Sequence, residues 1–327
     1  MTDFIITPLL FLALPQPLVL EVPVECDLTT VCSIQKYVDH DPGPSRADYT
    51  CGNLSLDGDT GTDFRVANLA VMAEGVAVLS AAGGTVKAVR DSMPDISVIE
   101  IGADAIKGRE AGNGVVIDHG QGWETQYSHL RRGSIRVAPG DVVRTGDKLG
   151  KIGLSGNTEF PHVEFTVRYN GMTLDPFVGQ QANFACGAQT TPLWSDEALT
   201  AMPYRPAVFL SGGFSDGTIQ INQARQGKYE SFQVTPDTPA LVFWVDISGV
   251  LAGDEETMTI TGPDGTVFTQ NSRVHERNNI SWWAYTGRRK PAGGWQEGTY
   301  TASYILKRDS EILIEEQKTI RLRPRQP

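Results

Sequence analysis

Short runs of β-branched, aromatic and aliphatic residues recur along this chain, and glycine or proline closes nearly every one within a few residues. The 34 glycines and 19 prolines fall at short intervals between these runs, which favours an all-β protein over an alternating α/β one. "GGTVKAVRD" opens on Gly83 and Gly84 and then alternates. "GNGVVIDHG" reads as a buried strand, and "WETQYSHL" follows it after Gln121 and Gly122. In "GDVVRTGDKLGKIG", Gly140, Gly146, Gly150 and Gly153 mark tight turns between small strands. "PHVEFTVRYNG" places His162, Glu164 and Thr166 on one face and Val163, Phe165 and Val167 on the other. His162 and Glu164 therefore point the same way.

A chain of 327 residues accommodates two ordinary domains. The first is expected over 23–190, with its strands in a core of 50–178. Residues 191–206, with Pro192, Pro203 and Pro206, read as a linker. The remainder, 207–327, is again β-rich, and "TMTITGPDGTVFTQ" carries a strong hairpin turn at Gly262 to Thr266. Strands at this spacing suggest a small immunoglobulin-like β-sandwich. His275 is the lone histidine of that half and reads as a surface or structural residue. Trp282, Trp283 and Trp295 are either core residues or exposed aromatics that bind a glycan or partner.

A net charge of −11 argues against non-specific nucleic-acid binding, which needs a basic patch. The apolar run from Phe4 to Leu20, interrupted by Pro8 and Pro15, reads as an export leader over 1–22, although its first residues carry Asp3 and no Lys or Arg. An anchor or an unordered N-terminus is the alternative. No later stretch is apolar enough to span a bilayer. Export to a periplasmic or extracellular compartment would let Cys26, Cys32, Cys51 and Cys186 form disulfides. Of three pairings, Cys26–Cys32 with Cys51–Cys186 is expected: the first pair is close in sequence, and the second ties the start of a domain to its end. Free thiols in a reducing compartment are the alternative.

In "LDGDTGTDF", Asp59 and Asp63 lie four residues apart around Gly61, a spacing that suits a metal site or a turn. Together with "GNGVVIDHGQGWETQYSHL", "GDVVRTGDKLGKIGLSGNT", "PHVEF" and "VRYNGMTLDPF", this segment resembles the M23 (LytM or lysostaphin-type) zinc metallopeptidases, in the family's order and spacing. The resemblance covers residues 50 to 178, about two fifths of the chain. It implies an M23-type antiparallel β-sheet domain ahead of the sandwich.

The family's H-x-x-x-D motif falls on Asp59 and Asp63, its Y-x-H-L segment on "YSHL", and its P-H-x-H-F segment on "PHVEF". The resemblance therefore puts the metal ligands at Asp59, Asp63 and Glu164, and the assisting histidines at His129 and His162. Both ligand imidazoles are replaced by carboxylates. His119, in "IDHG", matches a family residue without a ligand role and is expected to pack or hydrogen-bond near a strand end. Zinc is the family's cofactor, but three carboxylates suit a harder divalent ion better, or leave the site without a metal.

The resemblance also implies peptidoglycan stem or cross-bridge peptides as ligands. Three functions follow: a degenerate module that binds such peptides or a wall-hydrolase partner, an active metalloendopeptidase with an altered metal, or a structural assembly element. The first is favoured. It carries the expectation that Asp59→His with Glu164→His creates zinc binding.

Overall fold

The computed structural model describes residues 18–181 and 184–322. Its first half is built on β1 (Cys32–Lys36), β2 (Thr62–Val66), β3 (Ala77–Leu79), β4 (Gly84–Arg90), β5 (Asn113–Gly120), β6 (Trp123–Leu130), β7 (Val142–Val143), β8 (Lys148–Lys151), β9 (His162–Tyr169) and β10 (Met172–Leu174). One antiparallel sheet runs β1-β2-β9-β6-β5-β4-β7, with β10 paired to β9, while β3 and β8 form a separate ladder. Short helices α1 (Leu69–Glu74), α2 (Val98–Ile101) and α3 (Ala103–Ile106) lie in the connections.

The central strands set their apolar side chains on one face. Val163, Phe165 and Val167 of β9 and Tyr127 of β6 are fully buried in the first core, beside Phe64 and Val66 of β2. The alternate residues of β9, His162, Glu164 and Thr166, turn to the opposite face, as the period-2 pattern requires. That face carries the site.

Residues 191–206 do not behave as a linker. Helix α4 (Asp196–Ala201) occupies part of the segment, and Leu193, Trp194, Ala198 and Met202 are buried in the first core. Leu20 is fully buried there too and bridges to Trp194. The stretch assigned to a leader ending at 22 thus belongs to this core from Leu18 onward, and the rest of it lies outside the described residues. The disulfides are Cys26–Cys32, at the entry to β1, and Cys51–Cys186, which closes a span of 135 residues.

The second half is a sandwich. Strands β11 (Val208–Ser215), β12 (Ala240–Val250) and β15 (Asn279–Arg289) form one sheet, ordered β11-β12-β15. Strands β13 (Glu255–Thr261), β14 (Val267–Val274), β16 (Gly298–Arg308) and β17 (Glu311–Leu322) form the other, ordered β14-β13-β16-β17. Phe243, Val245 and Ile247 meet Met258, Ile260, Tyr304 and Leu306 in the core between them. The turn at Gly262 to Thr266 joins β13 to β14, with Gly265 at φ +82°.

His275 is buried, not at the surface, and packs edge-on against Trp282. Both face Glu256, whose Oε2 accepts from Trp282 Nε1 at 2.7 Å and from the Tyr304 hydroxyl at 3.2 Å. Trp295 is a core residue donating to Thr238 O at 2.6 Å. Of the three tryptophans, Trp283 alone is exposed, stacked on Tyr285. Burial pushes the Glu256 carboxyl up, but His275, Trp282 and Arg273 outweigh it and hold it below its ordinary value.

A depressed carboxyl contributes stability above the unfolded pKa of about 4.3 and loses it as pH falls through the lower folded value. The urea midpoint of Glu256→Gln is accordingly expected below that of the unsubstituted protein at pH 7, with the gap closing below about pH 4. A gap unchanged by acid would assign the loss to packing.

The two cores meet at a buried ion cluster. Arg65 of β2 is 1% exposed and donates to Gln35 Oε1 at 3.0 Å and to Asp246 Oδ2, on β12, at 3.3 Å. Helix α5 (Ile221–Arg225) ends in Arg225, which grips both oxygens of Asp246 at 2.8 Å and donates to Ser281 Oγ at 2.7 Å. Burial lowers the Arg65 pKa to about 10, so it remains a cation at neutral pH.

Candidate functional site

A groove of about 640 Å³ lies over the open face of the first sheet, and Arg225, Ile280 and Ser281 of the second half form part of its wall. Strand register assembles its floor. Lys36 of β1 pairs with Asp63 of β2, Asp63 pairs with Glu164 of β9, and Glu164 pairs with Ser128 of β6. Asp59 enters from the turn before β2. Opposed carboxylates such as Asp63 and Glu164 repel, so this row needs cationic partners. Gly61 admits Glu164: a Cβ there would stand 2.5 Å from Glu164 Cγ.

The cation between the aspartates is Lys36. Its Nζ lies 2.9 Å from Asp59 Oδ2, with hydrogen-bond geometry, and 2.7 Å from Asp63 Oδ2 as an ion pair. Burial depresses the ammonium's pKa, but the two carboxylates overcome this and raise it above its ordinary value. Burial and the neighbouring Asp63 push Asp59 up to about 6. Burial and Glu164 act against Lys36 at Asp63 and leave its carboxyl raised.

His129 and His162 stand side by side, ring centroids 4.7 Å apart. Strict alternation would turn His129 into the core beneath Tyr127. Its backbone instead adopts φ +63°, which breaks the phase and lets the ring face the groove while Leu130 returns to the core. A non-glycine residue held in this region costs about 1–3 kcal/mol, and such strain clusters at functional sites.

His129 Nδ1 donates to Ser155 O at 2.7 Å, and His162 Nδ1 donates to Phe160 O at 2.9 Å. These bonds fix the tautomers, so both Nε2 atoms face the acids. His129 Nε2 is 3.5 Å from Glu164 Oε2, and His162 Nε2 is 3.6 Å from Asp63 Oδ2. Burial, with His129 adding to it, holds the His162 pKa well below its usual value. Burial raises Glu164, yet His129 and His162 reverse this and bring its pKa to about 2. His119 lies outside the cluster, tied to Gly83 O and the Thr125 hydroxyl at 2.8 Å each.

A family model described as "Peptidase family M23" matches residues 59–176, from Asp59 to just beyond β10. The chain carries a peptidase family M23 domain. Over 88 aligned residues the chain is 35% identical to the "DD-carboxypeptidase/endopeptidase Mpg" of Neisseria meningitidis, over 25% of this chain and 20% of that protein. A further 29% identity over 117 residues links it to the "Cell division protein DipM" of Caulobacter vibrioides, over 36% of this chain and 16% of that protein. The matched stretch therefore spans a fifth or less of these curated relatives. A solved zinc-containing peptidase from Vibrio cholerae is 26% identical, over 45% of this chain and 40% of that one, at a TM-score of 0.28.

The M23 domain brings Asp59, Asp63, Glu164, His129 and His162 into one groove. The donor set does not fit zinc. Carboxylates stand at 59 and 164, the Lys36 ammonium lies between Asp59 and Asp63, and Glu164 leans on His129. Among the described residues, no group of three His, Cys, Asp or Glu side chains has an arrangement that could hold a metal ion. Lys36 and Arg225 escaped the sequence reading. Lys36 precedes Asp59 by 23 residues and joins it only through the pairing of β1 with β2. Its signal was a charged residue ending a strand whose other members, Cys32 to Gln35, are all buried.

Proposed function

We propose that the M23 domain is a non-cleaving module of the cell envelope that holds peptidoglycan peptides in its groove. The observation that supports this most is the pairing of an open groove with carboxylates in place of both ligand imidazoles. A substrate-sized cleft persists, lined by Gln126, Arg168, Arg225 and Ser281, which offer hydrogen bonds to a peptide backbone or its carboxylates. The protein is exported, in keeping with its disulfides. The C-terminal sandwich, through Arg225 and Ser281, completes the groove and places it against the wall or against a wall-hydrolase partner.

Soluble muropeptides are expected to bind the purified protein in calorimetry, and intact peptidoglycan is expected to release no peptides over hours at neutral pH. Liberated stem or cross-bridge fragments would overturn the reading. Failure of muropeptides to bind would favour a purely structural role.

A second reading, a peptidase with an altered divalent ion, draws on the retained histidines, whose Nε2 atoms face the acids. In it, the two imidazoles would polarise water and steady an oxyanion. Peptide release that appears with added Mn²⁺ and vanishes on chelation would select it.

A further inference from the structure

The space between Asp59 and Asp63 is filled by a side chain of the protein itself. Lys36 Nζ sits within 2.9 Å of one carboxylate and 2.7 Å of the other, and its side chain is only 14% exposed. Asp63 is 1% exposed, and its strand neighbour across β2 and β9 is the acid Glu164. Buried carboxylates so placed need a cation. A metal ion would have to displace the ammonium and leave it buried beside a divalent charge.

We infer that Lys36 is a tethered monovalent replacement for the divalent ion, one that bridges Asp59 and Asp63, offsets one of their two charges and excludes metals, so that the groove takes its ligand without any metal. The inference deepens the peptide-binding reading and rests on it for the nature of the ligand. Its test reads metal uptake and melting temperature, so it can fail while that reading stands.

Lys36 lies on β1, which enters the sheet just after the Cys26–Cys32 disulfide. The pairing of Cys32 with Val66 holds β1 against β2, and a register shift between Ile34 and Lys36 brings Lys36, rather than Gln35, opposite Asp63. A fixed cation also differs from a metal in function. It offers no open coordination position and activates no water, yet it holds the acids in one arrangement at all times.

The test is Lys36→Met, which keeps the chain length and removes the charge. The probes are Mn²⁺ and Zn²⁺ alone. The unsubstituted protein, dialysed against either ion, is expected to retain none in stoichiometric amount, and its melting temperature is expected to be the same with chelator as with metal. Lys36→Met is expected to melt about 10 °C lower in chelator. In Mn²⁺ it should recover much of that loss and bind one ion at least about tenfold more tightly than the unsubstituted protein.

If Lys36→Met does not fold, Lys36→Met with Asp59→Asn and Asp63→Asn removes the acids together with their cation and is expected to fold. Failure of that triple variant would mean that Lys36 is needed for packing, which overturns the inference. So would one tightly held metal ion per unsubstituted chain, or a Lys36→Met protein as stable as its parent in chelator.

Discussion

Stoichiometric zinc is expected from a triple variant, Lys36→Met with Asp59→His and Glu164→His, and not from Asp59→His with Glu164→His alone. On the motifs alone the double variant should suffice, because the phase of β9 and the partners His129 and His162 are retained. The tertiary structure adds Lys36, whose ammonium lies 2.7 Å from Asp63, the one ligand position that still matches the family motif. With that cation in place, two neutral imidazoles and one aspartate already paired with an ammonium are a poor site for a dication. With methionine at 36, Asp63 is free to supply its charge. Structural zinc sites in small domains bind with apparent free energies of about 10–16 kcal/mol, so even a poorly shaped site would register in metal analysis after dialysis. Zinc held equally well by the double variant would show that Lys36 moves aside readily. Absence of zinc from the triple variant, with the fold intact, would show that the groove has diverged beyond these three positions.

Asp246→Ala is expected to destabilise the protein by about 3–5 kcal/mol, the usual result of removing one partner from a buried ion pair. Asp246 is fully buried and is shared by Arg65 and Arg225. Its loss would leave Arg65, 1% exposed, with Gln35 and the Phe160 ring as its remaining neighbours of note. At about 2–4 °C per kcal/mol, the melting temperature should fall by roughly 10 °C. The same change frees Arg225 from the clamp that fixes it in the groove wall, so muropeptide affinity should fall together with stability. A double variant, Asp246→Leu with Arg65→Met, removes both buried charges and should recover most of the stability without recovering the affinity, since Arg225 stays unclamped. A single variant as stable as the parent would show that water reaches Arg65 and that the two halves are not held by this cluster.

Much of the M23 domain was legible in the sequence because its signals are local. The alternation of "PHVEFTVRY" decides which face each residue of β9 takes, and His162 and Glu164 share the groove for that reason. The hairpin at Gly262 to Thr266 is equally local, since Gly265 takes a positive φ at no steric cost. The cysteine pairing followed from closeness in sequence in one case and from tying the start of a domain to its end in the other. The limits of the first core were less legible. Leu20 and Trp194 are 174 residues apart in the chain and bridge in space, and no composition shift marks that pairing.

Acting alone, the sequence determined the strands, their faces and the carboxylates at 59 and 164, where the motifs it resembles carry histidine. These rest on residue types and on a period of two along one strand. The tertiary structure decided what stands where a metal would be. Lys36 meets Asp59 across 23 residues, and Arg65 meets Asp246 across 181. Burial makes such pairings consequential, because a charge removed from water must find its counter-charge wherever the folded chain brings one. His129 belongs with them: its φ of +63° opposes local preference and holds only because Ala111 O, Ser155 O and the buried Leu130 pin the strand on either side.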